Sequence, residues 1–170
     1  HNLRSYSDTF IETGTFIGGG VSAAMKAGFK TIHSIEIHPG LHEEARCKIN
    51  GALGVNLHLG DSSVLLPQIL ARTERAVILL DAHIMEGEER SKSVVSPDPS
   101  WTISCIRNEL TALKECAVPN HVILVDDLQW FGKPEMESIS ACEIINALLE
   151  INPSYRFSQP TDNMLQAIPS

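Results

Sequence analysis

Acidic residues punctuate this chain at intervals that suit a binding site. Glu12 begins Glu12-Thr13-Gly14, Glu36 closes the run Thr31-Ile32-His33-Ser34-Ile35-Glu36, and Asp61 stands between Gly60 and Ser62. Further on, Leu80-Asp81-Ala82-His83 and Val125-Asp126-Asp127-Leu128 each end an aliphatic run in carboxylates. Carboxylates gathered at neighbouring strand ends repel one another unless a cation sits among them. A few such oxygens, completed by water and substrate, suit Mg2+. The alternative is that one aspartate caps a turn while another faces solvent. His83 lies two residues beyond Asp81. With an ordinary pKa of about 6.5 it accepts protons near neutrality, which makes Asp81 and His83 the catalytic candidates. A hydrogen-bonded structural histidine is the competing reading.

The glycines narrow the ligand. Phe10-Ile11-Glu12-Thr13 reads as a buried strand entering the turn Gly14-Thr15-Phe16-Ile17-Gly18-Gly19-Gly20 and then a helix. Such a strand–turn–helix lets backbone N–H groups approach a ligand. Glu36 falls about 20 residues beyond the turn, where an acid grips ribose hydroxyls in nucleoside-binding α/β folds. A dinucleotide site wants glycine where this chain has Phe16, whose bulk would block a pyrophosphate. A looser turn suits a cofactor without phosphates, such as S-adenosylmethionine. Asp61 is placed to meet the adenine or to cap the next helix, with Ser62 beside it.

Elements that could position these residues alternate along the chain. Strands are expected over 9–13, 31–37, 56–59, 76–81 and 121–126, and helices over 21–27, 41–50, 63–71, 102–116 and 136–151. Strands such as Val77-Ile78-Leu79-Leu80 are continuously apolar, as burial on both faces demands. The alternation predicts a doubly wound, Rossmann-like parallel sheet between helical layers. Runs 155–159 and 164–168, separated by Pro160-Thr161-Asp162-Asn163, are too close for a crossover and predict a C-terminal antiparallel hairpin. The polar, proline-bearing stretch 84–100 fits no element and reads as a lid or a disordered loop. Trp101, Trp130 and Phe131 flank the same mouth, as acceptor-pocket walls or as core.

A chain of 170 residues forms one domain, here 1–170. Its net charge of −8 with no basic run argues against nucleic-acid partners and anionic membranes. No apolar run is long enough to span a bilayer. Cys47, Cys105, Cys116 and Cys142 form no Cys-x-x-Cys pair and read as small apolar fillers in a reducing compartment. Together with the lack of a secretory signal, this predicts a cytoplasmic protein. The start at His1 fits an excised or processed chain. His38 and His42, one helical turn apart, are expected on a solvated face. Nothing in the sequence speaks to oligomeric state.

Glu12-x-Gly14, Glu36, Gly60-Asp61-Ser62, Asp81-Ala82-His83 and Asp126-Asp127, in this order, resemble a class I S-adenosylmethionine-dependent methyltransferase. Within that superfamily the paired strand-end aspartates are similar to those of metal-dependent O-methyltransferases of the macrocin and catechol types. The resemblance implies five parallel strands plus a terminal hairpin, and a small hydroxylated acceptor as partner. It implies cofactor contacts from Glu12, Gly14, Thr15, Gly18, Glu36, Asp61 and Ser62, and Mg2+ ligands at Asp81, Asp126 and Asp127. The catechol type has Asp-Asn where this chain has Asp126-Asp127, closer to the macrocin pattern. A catalytic lysine of the family is replaced by Ile84, leaving His83 as the local substitute for the base. A cofactor-binding domain without its own activity, serving a larger assembly, is the alternative.

Overall fold

The structure, a computed structural model, describes residues 3–83, 105–116, 118–134 and 138–170. Five parallel strands form its centre: Thr9–Thr13 (β1), Thr31–Glu36 (β2), Val55–Leu59 (β3), Val77–Leu80 (β4) and Val122–Val125 (β5). Arg156–Thr161 (β6) and Met164–Ile168 (β7) add the antiparallel hairpin, giving the order β3-β2-β1-β4-β5-β7-β6. The chain winds outward from β1 to β3 and then crosses back to β4. The strand order therefore reverses between β1 and β4, where α/β sheets open a crevice.

Helices Gly19–Ala27 (α1), Pro39–Ile49 (α2), Ser62–Leu70 (α3), Ile106–Lys114 (α4) and Ala141–Ile151 (α5) cover the sheet. Phe10 and Ile32 turn one way to meet Val21 and Ala24 of α1, with Ile49 of α2 at the margin. Ile11, Ile35, Ile78 and Ile123 turn the other way, onto Leu66 of α3, Leu110 and Leu113 of α4 and Ile144 and Leu148 of α5. Period-two alternation on strands buried from both sides produces these two cores. The expected doubly wound architecture and its hairpin are both present.

Several element ends differ from expectation for local reasons. Helix α5 begins at Ala141 because Ser140 and Glu143 form a reciprocal capping box. The expected start at Met136 lies outside the described residues, as do the stretch 84–100 and Trp101. Pro160, expected in the hairpin turn, lies within β6, leaving Asp162-Asn163 as the turn. Because β6 is an edge strand with a register shift between Ser158 and Thr161, a residue without an N–H is tolerated there.

Register aligns the strand ends. Thr13 pairs with Ile35 and with Leu80, and Leu80 pairs with Val125. The residues that follow, Gly14, Glu36, Asp81 and Asp126, therefore stand in one row at the carboxyl end of the sheet. Gly14 turns the chain there with φ +82°, and a Cβ on it would lie 2.5 Å from the backbone oxygen of Asp81. Gly51 has nearly the same φ, +78°, with nothing within 4 Å of the corresponding point. Gly51→Ala should therefore cost only the left-handed strain of about 1 kcal/mol, whereas Gly14→Ala should cost about 3 kcal/mol or more because a backbone atom must also yield. Denaturant unfolding of both variants measures the difference, and equal losses would contradict the close approach of β1 to β4.

Candidate functional site

Glu12, near the end of β1, is almost fully buried. Its Oε1 accepts from Ser34 Oγ at 2.6 Å, and Ser34 Oγ lies 2.5 Å from Thr15 Oγ1. The N–H of Val21 in α1 also donates to this carboxylate. A Cβ on Gly20 would overlap Glu12 Oε2, so the first turn of α1 closes onto the acid through a residue without a side chain. Glu12 and Thr15 thus bind the glycine turn to β2 and α1. Burial pushes the Glu12 carboxyl up to about 7, against the opposing pull of Ser34 and the Val21 amide.

Glu36 lies at the tip of β2, and both its oxygens are engaged by the backbone. Oε2 accepts from Phe16 N–H and Oε1 from His38 N–H, each at 2.8 Å. An ionised carboxylate offers about four acceptor positions, and among the described residues two of those on buried Glu36 are used. Phe16, with φ +49°, is 41 % exposed beside this acid. Gly18 caps α1 in the left-handed region with φ 85°. Asp61 caps α3, its Oδ1 accepting from Ser63 N at 2.8 Å and Ser63 Oγ at 2.7 Å. The capping reading of Asp61 holds, and its exposure leaves its other oxygen open to a ligand.

Ser62, expected beside the cofactor, is buried and donates to Glu109 Oε1 at 2.6 Å. Glu109, on the apolar face of α4, is 1 % exposed and also accepts from Cys105 Sγ at 3.2 Å and from Thr13. Burial raises its pKa. Thr13 Oγ1 in turn accepts the Asp81 N–H at 3.2 Å. A buried polar cluster thus lies under the floor of the β1 and β4 ends. Sequence reading missed Glu109, although an acid between Ile106, Leu110 and Leu113 at helical spacing was a readable signal.

Beyond β4 and β5, His83 Nε2 lies 2.9 Å from Asp127 Oδ2, and His83 Nδ1 lies 3.8 Å from Asp81 Oδ1. Asp81, His83 and Asp127 each present a ligand atom within 4.8 Å of the others, the one such group among the described residues. Asp126, expected as a further oxygen ligand, stands outside that group. Its Oδ1 accepts from Asp127 N at 2.8 Å and from Asn163 Nδ2 at 3.4 Å. Asn163 also donates to Asp127 Oδ1 at 2.9 Å. This asparagine comes from the hairpin turn, and no local signal connects it to β5. Asp127 itself holds φ 63°, which aims its carboxylate back across the strand end.

Burial pushes the Asp81 carboxyl up to about 8, with Asp126 and Asp127 adding like-charge repulsion. Asp126 is raised for the same leading reason. Trp130 and Phe131 pack against the core, the second of the two roles expected of them, with Leu128 beside them. The Trp130 indole N–H is buried with no hydrogen-bond partner among the described residues. His38 and His42 depart from the solvated face expected of them. His38 caps α2 by accepting from Leu41 N–H at 3.3 Å, and His42 Nε2 is buried without a partner among the described residues. The four cysteines are free, but Cys47 and Cys142 are exposed rather than apolar fillers.

No protein-family model matches this sequence, and no curated protein of related sequence does. Solved structures do match. The fold is similar to SAH-bound methyltransferase PaMTH1 from Podospora anserina, with TM-score 0.62 and 15% identity over 99% of this chain and 74% of that one. An O-methyltransferase from Bacillus cereus in complex with SAH gives TM-score 0.62 and 14% identity over 99% and 76% of the two chains. The methyltransferase domain of bacterial CtHen1-C gives 0.60 and 14% over 99% and 93%. The chain has the class I methyltransferase fold.

The acid row has a consequence for stability. Native Glu12 and Asp81 bind protons more tightly than the unfolded chain does. At these two acids the native state therefore holds more protons up to about pH 8, which lowers stability as pH rises, whereas His33, His58 and His121, whose pKa values burial lowers, act in the opposite sense below about pH 6.5. The melting temperature of chelator-treated protein should drop between about pH 6.5 and pH 8, where the histidines are neutral in both states, and Asp81→Asn should flatten the drop. A melting temperature that rises over the same range would contradict the burial of these acids.

Proposed function

We propose that this chain is an S-adenosylmethionine-dependent methyltransferase acting on an oxygen of a small hydroxylated acceptor, assisted by a divalent cation. One observation carries the reading: in a class I methyltransferase fold, Glu36 stands beyond the glycine turn with both oxygens fixed by backbone amides. The cofactor side runs along β1, β2 and β3. Glu36 receives the ribose hydroxyls, the Gly14 turn allows backbone approach to the amino-acid end, and Asp61 faces the adenine with its uncommitted oxygen. Glu12, Thr15 and Gly18 act through the turn they hold, and Ser62 through the floor beneath.

When bound, S-adenosylmethionine supplies the methyl group, whose carbon bonds to the acceptor oxygen as its bond to sulfur breaks, with loss of the hydroxyl proton. In-line placement and deprotonation then govern the rate. The acceptor side lies over β4 and β5, where Asp81, His83 and Asp127 face one another. These three would hold a divalent cation, whose charge would lower the pKa of the acceptor hydroxyl. Burial raises Asp81, repulsion from Asp126 and Asp127 adds to it, and a cation there would relieve that repulsion. Asn163 steadies Asp127 within this group.

Two substitutions separate the halves of the site. Glu36→Ala should weaken S-adenosylmethionine binding about 10-fold or more, the scale of lost hydrogen bonds to a charged group, while the protein remains folded by circular dichroism. Asp81→Asn, or chelation of wild-type protein, should abolish S-adenosylhomocysteine formation across a panel of small phenols and sugars while leaving cofactor affinity within about 2-fold. Unchanged cofactor affinity in Glu36→Ala would remove Glu36 from the site. Full turnover by Asp81→Asn in chelator would remove the cation.

A further inference from the structure

We infer that the cation site is nitrogen-bearing, with His83 as a direct ligand beside Asp81 and Asp127, and that it selects Mn2+, Fe2+ or Co2+ over Mg2+. The inference rests on the functional reading above only for the use of the site, since the geometry concerns ion binding itself. Mg2+ demands oxygen ligands in a near-ideal octahedron. The oxygen set expected for it needs Asp126, whose Oδ1 is turned to the Asp127 amide and to Asn163. The atoms that do face one another include an imidazole. Imidazole favours first-row transition ions, and carboxylates admit Mn2+ alongside them.

The spacing, also that of a direct hydrogen bond, admits a shared ion. His83 Nε2 and Asp127 Oδ2 lie 2.9 Å apart. Two ligands bound at right angles to one ion, each at about 2.1 Å, are about 3 Å apart. The ring is held close to this position, since its side chain is 11 % exposed and that of Asp127 17 %. Asp127 Oδ1 is fixed separately by Asn163 and Gln129 Nε2, at 2.9 Å and 3.4 Å, which leaves Oδ2 facing the imidazole. Hydrogen bonding from such a surrounding group is the usual means of orienting a carboxylate ligand. Among the described residues the Asp81–His83–Asp127 set would supply three protein ligands, with water or an acceptor oxygen to complete the shell.

Pulsed electron paramagnetic resonance of Mn2+ added to chelator-stripped protein reads the ligand directly. Wild-type protein should show nitrogen modulation from one bound imidazole, and His83→Ala should lose it together with about 10-fold or more of its Mn2+ affinity. Competition with Mg2+ should displace Mn2+ only at large excess from wild type and far more readily from His83→Ala. Bound Mn2+ without nitrogen modulation, or no bound Mn2+ in folded protein, would overturn the inference. Calorimetry with S-adenosylhomocysteine on the same samples separates the two claims. Binding of that ligand with oxygen-only Mn2+ sinks the nitrogen site and spares the methyltransferase reading. Nitrogen-bound Mn2+ without cofactor-product binding sustains the site and sinks that reading.

Discussion

Like charges held in a half-buried place set the terms for this molecule. Parallel strands β1, β2, β4 and β5 end level with one another, so the residues that follow cannot avoid converging. Glu12, Glu36, Asp81, Asp126 and Asp127 all arrive at this end of the sheet, and Glu109 lies below it. A carboxylate in such a place must be hydrogen-bonded, protonated or paired with a cation. Each acid here has found a different answer. Glu36 takes two backbone amides, Asp126 takes the amide of its neighbour, and Glu109 collects hydroxyls and a thiol. Among the described residues Asp81 has no such set of donors, and burial pushes its carboxyl up to about 8.

Those answers divide the mouth of the sheet into two chemistries. On the β1–β3 side, the acids are committed to fixing backbone: Glu12 secures the first turn of α1 and Glu36 secures the turn at Phe16. A rigid, amide-lined turn is suited to recognition rather than to proton transfer. On the β4–β5 side the carboxylates face an imidazole and one another, an arrangement suited to holding charge and moving protons. The switch point between β1 and β4 joins the two, and Thr13 with Glu109 beneath it ties their backbones together.

The sheet was legible because its strands are aliphatic runs interrupted by turn residues, and the hairpin because its two runs are too close for a crossover. Asp61 could be read only as either cap or ligand contact, since an Asp before a helix serves both. The site beyond β5 was half legible. Asp81, His83 and Asp127 announce themselves at strand ends, yet which aspartate faces the imidazole depends on the left-handed turn at Asp127 and on Asn163. Asn163 lies 36 residues further along the chain, and its contact exists only once β7 has paired with β5. Ser62 and Ser34 were opaque for a related reason: a serine hydroxyl takes whichever acid the tertiary fold supplies.

The central claim is that the level strand ends build a site for an S-adenosyl cofactor. Calorimetric titration of the folded chain with S-adenosylhomocysteine tests it most directly. One site per chain with micromolar affinity or better, about −8 kcal/mol, is the expected result. Absence of binding by folded protein would contradict it and reduce the glycine turn to a structural bend.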